Sequence, residues 1–280
     1  MSDAIWRPLN QIDPHRVKAA LAGNPVRACA LLDALRIGEA MGFLHLLDME
    51  VLTVQDEIKA VVWYDNWLKP WVSATNWIPD VAKHAADRFA PIQQIHGPAD
   101  TVEGLALAWS LGAPHQQQRF LIYEMNSDYL NAHVDAEGCR PARIDELLTI
   151  AKQEAVMIFE ETGINPMDSD AHPHLMRVAR GIDEQRYHVL EVDGVIRFQL
   201  ALDSFGDNWG ELAYGFTPTA FRKQGYAARG LGGISKQLLQ RLPILFGRVR
   251  PENLAARAMH GRVKSHLRNW EYLEASWRSI

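Results

Sequence analysis

Two segments of the chain repeat the same order of apolar and turn-forming residues. Residues 57–80 read EIKAVVWYDNWLKPWVSATNWIPD, and residues 193–218 read DGVIRFQLALDSFGDNWGELAYGFTP. In both segments, β-rich stretches alternate with polar turns, and helical patterns lie on either side. The repeat constrains the fold strongly, because both copies are expected to form the same supersecondary unit. The sequence therefore predicts a duplicated α/β unit.

The polar segment 126–142, NSDYLNAHVDAEGCRPA, separates the two copies and is typical of a linker. We therefore predict two domains, 1–132 and 133–280, each a mixed, mostly antiparallel sheet flanked by helices. The clearest turn signal is Asp193-Gly194, between two predicted strands of a hairpin. Helices are predicted over residues 13–22, 25–39, 79–89, 99–111, 144–161, 174–181 and 252–263, and a further helix carries Leu231, Ile234, Leu238, Leu239 and Leu242. The helix over 13–22 opens with a capping Asp and a Pro in its first turn, and Asp100 is the expected cap of the helix over 99–111. Strands are predicted over residues 58–64, 71–74, 92–95, 117–125, 187–192, 195–203, 211–216, 244–249 and near 269–277.

Charge and composition argue against several classes of function. The 280 residues carry a formal net charge of −5, so no attraction of the whole protein to nucleic acid or to an acidic membrane is expected. The two cysteines, Cys29 and Cys139, fit no metal or redox spacing. No apolar run approaches the roughly 18 residues of a membrane span, and the first residues lack a signal-peptide pattern. We expect a cytoplasmic protein that binds no metal.

Residues 217–233, TPTAFRKQGYAARGLGG, combine three basic residues with four glycines where a helix is about to begin. The first backbone N–H groups of a helix have no partner within the helix, and its N-terminus carries partial positive charge. Gly225 and the small side chains after it would let an anion approach those groups closely. The alternative is a glycine-rich turn with a solvated face. The segment predicts an anion site, with a pyrophosphate as a natural guest.

The same region resembles the GNAT superfamily of N-acetyltransferases. The matching text is ELAYGFTPTAFRKQGYAARGL at 211–231 and VRPENLAARA at 249–258, within a resemblance that covers roughly residues 140–276. The first half resembles the N-terminal half of two-part GNAT proteins, through NPVRACALLDAL and IQQIHGPADTVEGLALAW. The resemblance implies acetyl-CoA, or a related acyl-CoA, as the donor co-substrate. The residues implied to bind it are Phe216, Thr217, Arg222, Lys223, Gln224, Gly225, Tyr226, Ala227, Ala228 and Asn253.

The resemblance also implies two catalytic candidates. Glu211 opens the strand where GNAT proteins often carry a general base, and the alternative is a surface glutamate at a strand end. Tyr214 would share the face of Glu211 only if the strand were irregular. His260 stands where a tyrosine usually protonates the leaving thiolate, and the Gly-Phe that usually follows is absent. His260 could donate that proton or could be an exposed helix residue.

These observations predict an N-acyltransferase that moves an acetyl group from acetyl-CoA to an amine on a small molecule or peptide. The alternative is a catalytically silent protein that binds CoA as a sensor or scaffold, which the missing tyrosine and Gly-Phe favour. The polar loop 168–174 contains two Asp and two His, but a proline separates the histidines and no ligand cluster follows. We expect these histidines near the acceptor and no metal. A homodimer is possible.

Overall fold

The computed structural model describes residues 4–89, 92–130, 135–168 and 170–277, and it divides into two compact units. The first comprises Met1–Ile122, Arg250–Glu252 and Arg268–Ile280, and the second comprises Tyr123–Val249 and Asn253–Leu267. The predicted domain boundary, between residues 132 and 133, lies outside the described residues, as does part of the predicted linker. That boundary stays a prediction.

The described residues form strands and helices that are interspersed along the chain. Within the described ranges, no helix is long and apolar enough to cross a membrane. In chain order the elements are β1 (Ala4–Pro8), α1 (Pro14–Ala22), α2 (Pro25–Ala40), β2 (Met49–Val54), β3 (Glu57–Tyr64), β4 (Leu68–Val72), α3 (Ile78–Phe89), β5 (Gln94–Pro98), α4 (Ala99–Ala108), β6 (Gln116–Met125), β7 (Cys139–Pro141), α5 (Leu147–Thr162), α6 (Ala171–Asp183), β8 (Tyr187–Val192), β9 (Val195–Phe205), β10 (Trp209–Phe216), α7 (Tyr226–Leu238), β11 (Ile244–Val249), α8 (Leu254–Arg262) and β12 (His266–Ser276).

In the first unit the strands lie in the order β1-β2-β3-β4-β5-β12. All neighbours are antiparallel except β4 and β5, which are parallel and paired through Leu68 and Ile95. The predicted start of α1 is confirmed, because the Asp13 side chain accepts a hydrogen bond from the His15 backbone N–H at 3.0 Å. The predicted cap at Asp100 is wrong, since Pro98 is the N-cap of α4 and Asp100 lies within its first turn.

In the second unit the strands lie in the order β11-β10-β9-β8-β7. Within this order, β10 and β11 run parallel and the other neighbours run antiparallel. The hairpin of β8 and β9 turns at Asp193 and Gly194, whose φ angles are 51° and 72°. Positive φ at both central residues is the geometry that the Asp-Gly dipeptide favours. A mixed, mostly antiparallel sheet flanked by helices is therefore confirmed.

The parallel pair β10–β11 stays together for only part of its length. Trp209 pairs with Ile244, Gly210 with Leu245 and Glu211 with Phe246, and β10 then continues to Phe216 without this partner. The two strands diverge beyond Glu211, so their carboxyl ends leave an opening in the sheet. The ends of parallel strands are the usual place for a ligand in such sheets.

Strand β10 is irregular at Tyr214, which has a φ of 55° and lies where the register with β9 shifts. Leu212 belongs to the core cluster beneath α7, whereas Tyr214 packs against the cluster that contains Ile150 of α5 and Val178 of α6. Tyr214 was expected to share the face of Glu211 only if the strand were irregular. Strand β10 meets that condition.

The glycines of α7 do not interrupt the helix, which is continuous over Tyr226–Leu238. A Cβ on Gly230 would lie 2.2 Å from the Phe198 ring, and a Cβ on Gly233 would lie 2.6 Å from Cys139 Sγ. The absence of these side chains lets α7 pack closely on the sheet. Close packing is thus the reason for these glycines, and they lie within a regular helix.

Candidate functional site

A cavity of about 570 Å³ opens in the second unit at the divergence of β10 and β11. Its walls are the end of β10, the turn before α7, the first residues of α7, the last turns of α5 and one face of α8. The residues that line it are Met157, Glu160, Glu161, Phe198, Gly215, Phe216, Thr217, Phe221, Arg222, Lys223, Gly225, Tyr226, Ala227, Ala228, Asn253, Ala255, Ala256, Ala258, Met259 and Arg262.

Nine of the ten residues predicted to bind the donor line this one cavity. The exception is Gln224, whose side-chain amide donates a hydrogen bond to the Ala220 carbonyl at 3.1 Å. The nine are Phe216, Thr217, Arg222, Lys223, Gly225, Tyr226, Ala227, Ala228 and Asn253.

The turn before α7 is shaped to leave the N-terminus of the helix open. Gly225 is the N-cap, with a left-handed φ of 88°, and no side chain caps the helix. A Cβ built on Gly225 would meet nothing within 4 Å, so the space beside it is free. Lys223 also has a positive φ, of 63°. The first N–H groups of α7 are therefore available to an anion in the cavity.

Two polar side chains on the cavity wall bear on what it can bind. The Thr217 hydroxyl oxygen is buried and has no hydrogen-bond partner among the described residues. A buried hydroxyl without a partner carries an energetic cost that a polar ligand group would remove. Asn253 is the N-cap of α8, where its side-chain oxygen accepts a hydrogen bond from the Ala256 N–H at 3.0 Å. Its amide NH₂ group remains as a donor.

The charges around the cavity are mixed. Arg222 donates hydrogen bonds to both carboxylate oxygens of Glu160, each at 2.9 Å, and to the Thr217 carbonyl at 3.0 Å. The arginine predicted to bind a phosphate therefore has a carboxylate partner on α5. In the part of the chain that the structure describes, Lys223 and Arg262 take part in no ion pair.

Glu211 is buried in an ion pair. Its side chain accepts hydrogen bonds from Arg248 Nε and, at 3.0 Å, from the Ser204 hydroxyl. The residue is only 4% exposed, so the alternative of a surface glutamate is wrong. Each of its two carboxylate oxygens is therefore already engaged by a donor within the protein.

Asp203 lies on β9 beside Glu211, and sequence reasoning missed it. Burial raises the pKa of the Asp203 carboxyl to about 6, and the neighbouring Glu211 carboxylate adds to the increase. No hydrogen bond to this carboxylate occurs among the described residues. Burial and then Asp203 raise the pKa of Tyr214 to about 12, so this phenol keeps its proton at neutral pH. Asp203 lies within a strand in which apolar and polar residues alternate, and nothing in the sequence distinguishes it from the other polar residues there.

His260 is also buried, at 4% exposed, so its description as an exposed helix residue is wrong. Its Nδ1 lies 3.0 Å from the Ser265 hydroxyl, and its ring stacks on Tyr123 with centroids 4.5 Å apart. Burial lowers the pKa of His260 to about 4. At neutral pH the imidazole is therefore uncharged, and a neutral imidazole is a poor acid for a thiolate.

The polar loop 168–174 is partly helical, because α6 begins at Ala171 after the capping side chain of Asp170. His174 is buried, with Nε2 2.9 Å from the Ala151 carbonyl, and His172 is exposed. Neither histidine lines the cavity. No group of three or more His, Cys, Asp or Glu residues able to hold a metal occurs among the residues described.

No protein-family model and no curated protein matches the sequence. Solved structures do match over nearly the full length. The chain is similar to a GNAT-family acetyltransferase from Colwellia psychrerythraea, with a TM-score of 0.62, 10% identity and coverage of 98% of this chain and 100% of that one. It is similar to a GCN5-related N-acetyltransferase from Sphaerobacter thermophilus, with a TM-score of 0.58, 17% identity and coverage of 99% and 96%.

A third match is a tandem GNAT protein from the clavulanic acid biosynthesis pathway, with a TM-score of 0.51 and 10% identity. That match covers 99% of this chain and all of the other chain. Likeness at such low identity is informative about the fold and not about the substrate. The predicted fold class, α/β with two GNAT-like halves, is confirmed. The chain therefore has the fold of the GNAT acetyltransferases, over the full length of a tandem GNAT protein.

Proposed function

We propose that the second unit binds an acyl-CoA, with acetyl-CoA as the first candidate, and transfers the acyl group to an amine. The observation that carries this proposal is the open N-terminus of α7 on the wall of the cavity, with Gly225 as its left-handed cap. A pyrophosphate fits this cradle, since backbone N–H groups and partial positive charge meet there. The orphaned Thr217 hydroxyl and the Asn253 amide offer polar contacts to a pantetheine arm.

Acetyl-CoA would supply an activated thioester, from which the acetyl group passes to the amine while the CoA thiol is released. The amine has to lose a proton, directly or through a water molecule. Asp203 does not line the cavity, but it neighbours Glu211, the last residue at which β10 pairs with β11. It is our candidate for this task, because its carboxylate has a pKa of about 6 and no hydrogen bond among the described residues. At neutral pH it is charged and can still accept a proton. His260, which is buried and neutral, contributes no acid to this proposal.

A second candidate function is CoA binding without turnover. Two observations favour it: Glu211 is engaged by Arg248 and Ser204, and the pKa of the His260 imidazole is far below neutrality. Such a protein would bind acetyl-CoA with the same residues and would acetylate no amine. The two candidates therefore share a donor site and differ only in chemistry.

Calorimetric titration with acetyl-CoA, with ATP in parallel, tests the donor site. We expect micromolar binding of acetyl-CoA and none of ATP at the same concentrations. The Gly225→Glu variant should lose this binding, because the new carboxylate enters the phosphate position. Release of the CoA thiol in the presence of a panel of amines then separates the two candidates. Absence of acetyl-CoA binding by the wild-type protein would refute both.

A further inference from the structure

Arg197 on β9 lies beside the cavity, with its guanidinium group over two of the cavity's aromatic rings. The centre of its guanidinium group lies 3.9 Å from the centroid of the Phe221 ring and 5.8 Å from that of the Tyr226 ring. These two rings line the cavity and contact each other edge to face, with centroids 6.5 Å apart. Because Tyr226 is the first residue of α7, the guanidinium group is held near the helix end where the anion site is proposed.

The charge of Arg197 has no acidic partner in the part of the chain that the structure describes. No salt bridge to Arg197 occurs among the described residues, and its Nε is buried without a hydrogen-bond acceptor. Unlike Arg197, the arginines of the neighbouring turn and of α7 have acidic partners. Arg222 in the turn pairs with Glu160, and Arg229 in α7 pairs with Asp135 at 3.1 Å. A half-buried charge without a partner is costly, and an anion in the cavity would remove that cost.

The contact with the ring also bears on how the group can bind. A guanidinium group held 3.9 Å over an aromatic ring by a cation–π contact does not use its N–H donors in that contact. Those donors suit the oxygens of a phosphate, to which arginine donates paired hydrogen bonds. A lysine would bring the charge without the planar donors.

We propose that Arg197 binds a phosphate group of the acyl-CoA donor and supplies the cationic contact that Arg222 shares with Glu160. This inference rests on the proposed function, because it assigns a ligand contact within the same donor site. The chemistry recognised is a phosphate, which in CoA belongs either to the pyrophosphate or to the ribose 3′-phosphate.

Calorimetric titrations with CoA, dephospho-CoA and pantetheine test the assignment on the full-length chain. We expect Arg197→Met to weaken CoA binding about tenfold or more, since one charge-assisted hydrogen bond contributes on that order. Binding of pantetheine, which has no phosphate, should stay within about twofold of the wild type, a margin well below that loss. Arg197→Lys should bind CoA more tightly than Arg197→Met and more weakly than the wild type. The control is Arg241→Met, which removes the same charge from an exposed residue beyond the other end of α7.

The ligands also identify the phosphate. An equal loss of affinity for CoA and dephospho-CoA assigns the pyrophosphate, and a loss for CoA alone assigns the 3′-phosphate; both support the proposal. Unchanged CoA binding by Arg197→Met, or an equal loss for pantetheine, would overturn it and leave Arg197 as a packing residue of the aromatic pair. If the wild type binds none of the three, the proposed function and this assignment fail together.

The salt dependence of CoA affinity gives a second test. It uses the wild type and Arg197→Lys, which both keep the charge, so it does not depend on whether Arg197→Met folds. CoA binding by both proteins should weaken as KCl rises, because partly exposed charge contacts are screened. If pantetheine binding weakens as steeply as CoA binding, no phosphate contact is present and the assignment is overturned.

Discussion

Arg222 and Glu160 form a two-pronged ion pair across the wall of the cavity, with both N–O distances at 2.9 Å. The pair joins the turn before α7 to α5, and its side chains are 39% and 44% exposed. A phosphate that binds at the N-terminus of α7 competes with the Glu160 carboxylate for this guanidinium group. The proposed donor site therefore contains a carboxylate that would compete with the ligand for Arg222.

Removal of that anion should strengthen donor binding. Glu160→Gln leaves a neutral side chain of the same shape, so Arg222 becomes available to the ligand. Exposed ion pairs contribute roughly 0.2–1 kcal/mol, and we therefore expect CoA affinity to rise by about 1.5- to 5-fold. Calorimetry at low salt measures the change. Glu184→Gln, which removes an exposed carboxylate paired with Arg180 outside the cavity, is the control. A lower CoA affinity in Glu160→Gln would show that Glu160 supports the ligand.

The sequence was informative where local rules decide the structure. Asp193-Gly194 specified a hairpin, the Pro and Asp pattern specified the start of α1, and the glycine before Tyr226 specified the open helix end. β2 was missed because all six of its residues are buried, so Met49–Val54 shows no alternation of apolar and polar positions.

The side-chain partners inside the second unit were beyond sequence reasoning. Glu211 was chosen for its position on a strand, but its pairing with Arg248 depends on how two strands meet in space. His260 occupies a helix whose pattern looked exposed, yet the ring stacks on Tyr123, more than a hundred residues earlier. Such contacts are non-local, and no spacing along the chain encodes them.

Gly230 and Gly261 provide a matched test of the close packing of α7. A Cβ on Gly230 would lie 2.2 Å from the Phe198 ring, whereas a Cβ on Gly261 in α8 meets nothing within 4 Å. We expect Gly230→Ala to lower the free energy of unfolding by about 1–3 kcal/mol through overpacking. Gly261→Ala should be neutral or raise it by up to ~1 kcal/mol through helix propensity. Urea denaturation measures both, and equal effects of the two substitutions would contradict the packing argument.

The lowered pKa of the buried His260 leads us to expect a loss of stability in mild acid. The pKa of its imidazole is about 4 in the folded protein and 6.5 as the ordinary value, so the unfolded chain binds a proton first as pH falls. The stability that the neutral ring contributes is complete above pH 6.5 and is lost as pH falls towards about 4. The loss amounts to about 1–3 kcal/mol, from the size of the shift.

Thermal unfolding between pH 7 and pH 4 measures this effect. His260→Gln, which keeps a polar group for Ser265, should show a shallower fall in Tm than the wild type. His188, whose pKa burial also lowers to about 4, contributes with the same sign, so His188→Gln serves as a reference of similar size. In an acyl-transfer assay the His260→Gln variant should keep its rate, because a neutral imidazole supplies no proton; a large loss of rate with unchanged CoA affinity would restore its role as the acid.

The raised pKa of Asp203 leads us to expect a specific pH dependence of acyl transfer. The pKa of the Asp203 carboxyl is about 6, above its ordinary value of 3.8, and only the ionised carboxylate accepts a proton from the amine. The rate with any amine that the wild type acetylates should therefore rise as pH increases through about 6. Asp203→Asn should lower the rate by about 10²- to 10⁴-fold, the usual contribution of a general base, and should leave CoA affinity unchanged.

The matched control is Asp207→Asn, which alters an exposed aspartate in the turn after the same strand. It should keep both the rate and the pH profile of the wild type. Glu211→Gln separates the two neighbouring carboxylates, because it removes the buried charge that accepts from Arg248 Nε and should reduce stability more than the rate of the folded fraction. If Asp203→Asn keeps the wild-type profile while Glu211→Gln abolishes turnover with CoA binding intact, the base is Glu211, and its ion pair with Arg248 must open during the reaction.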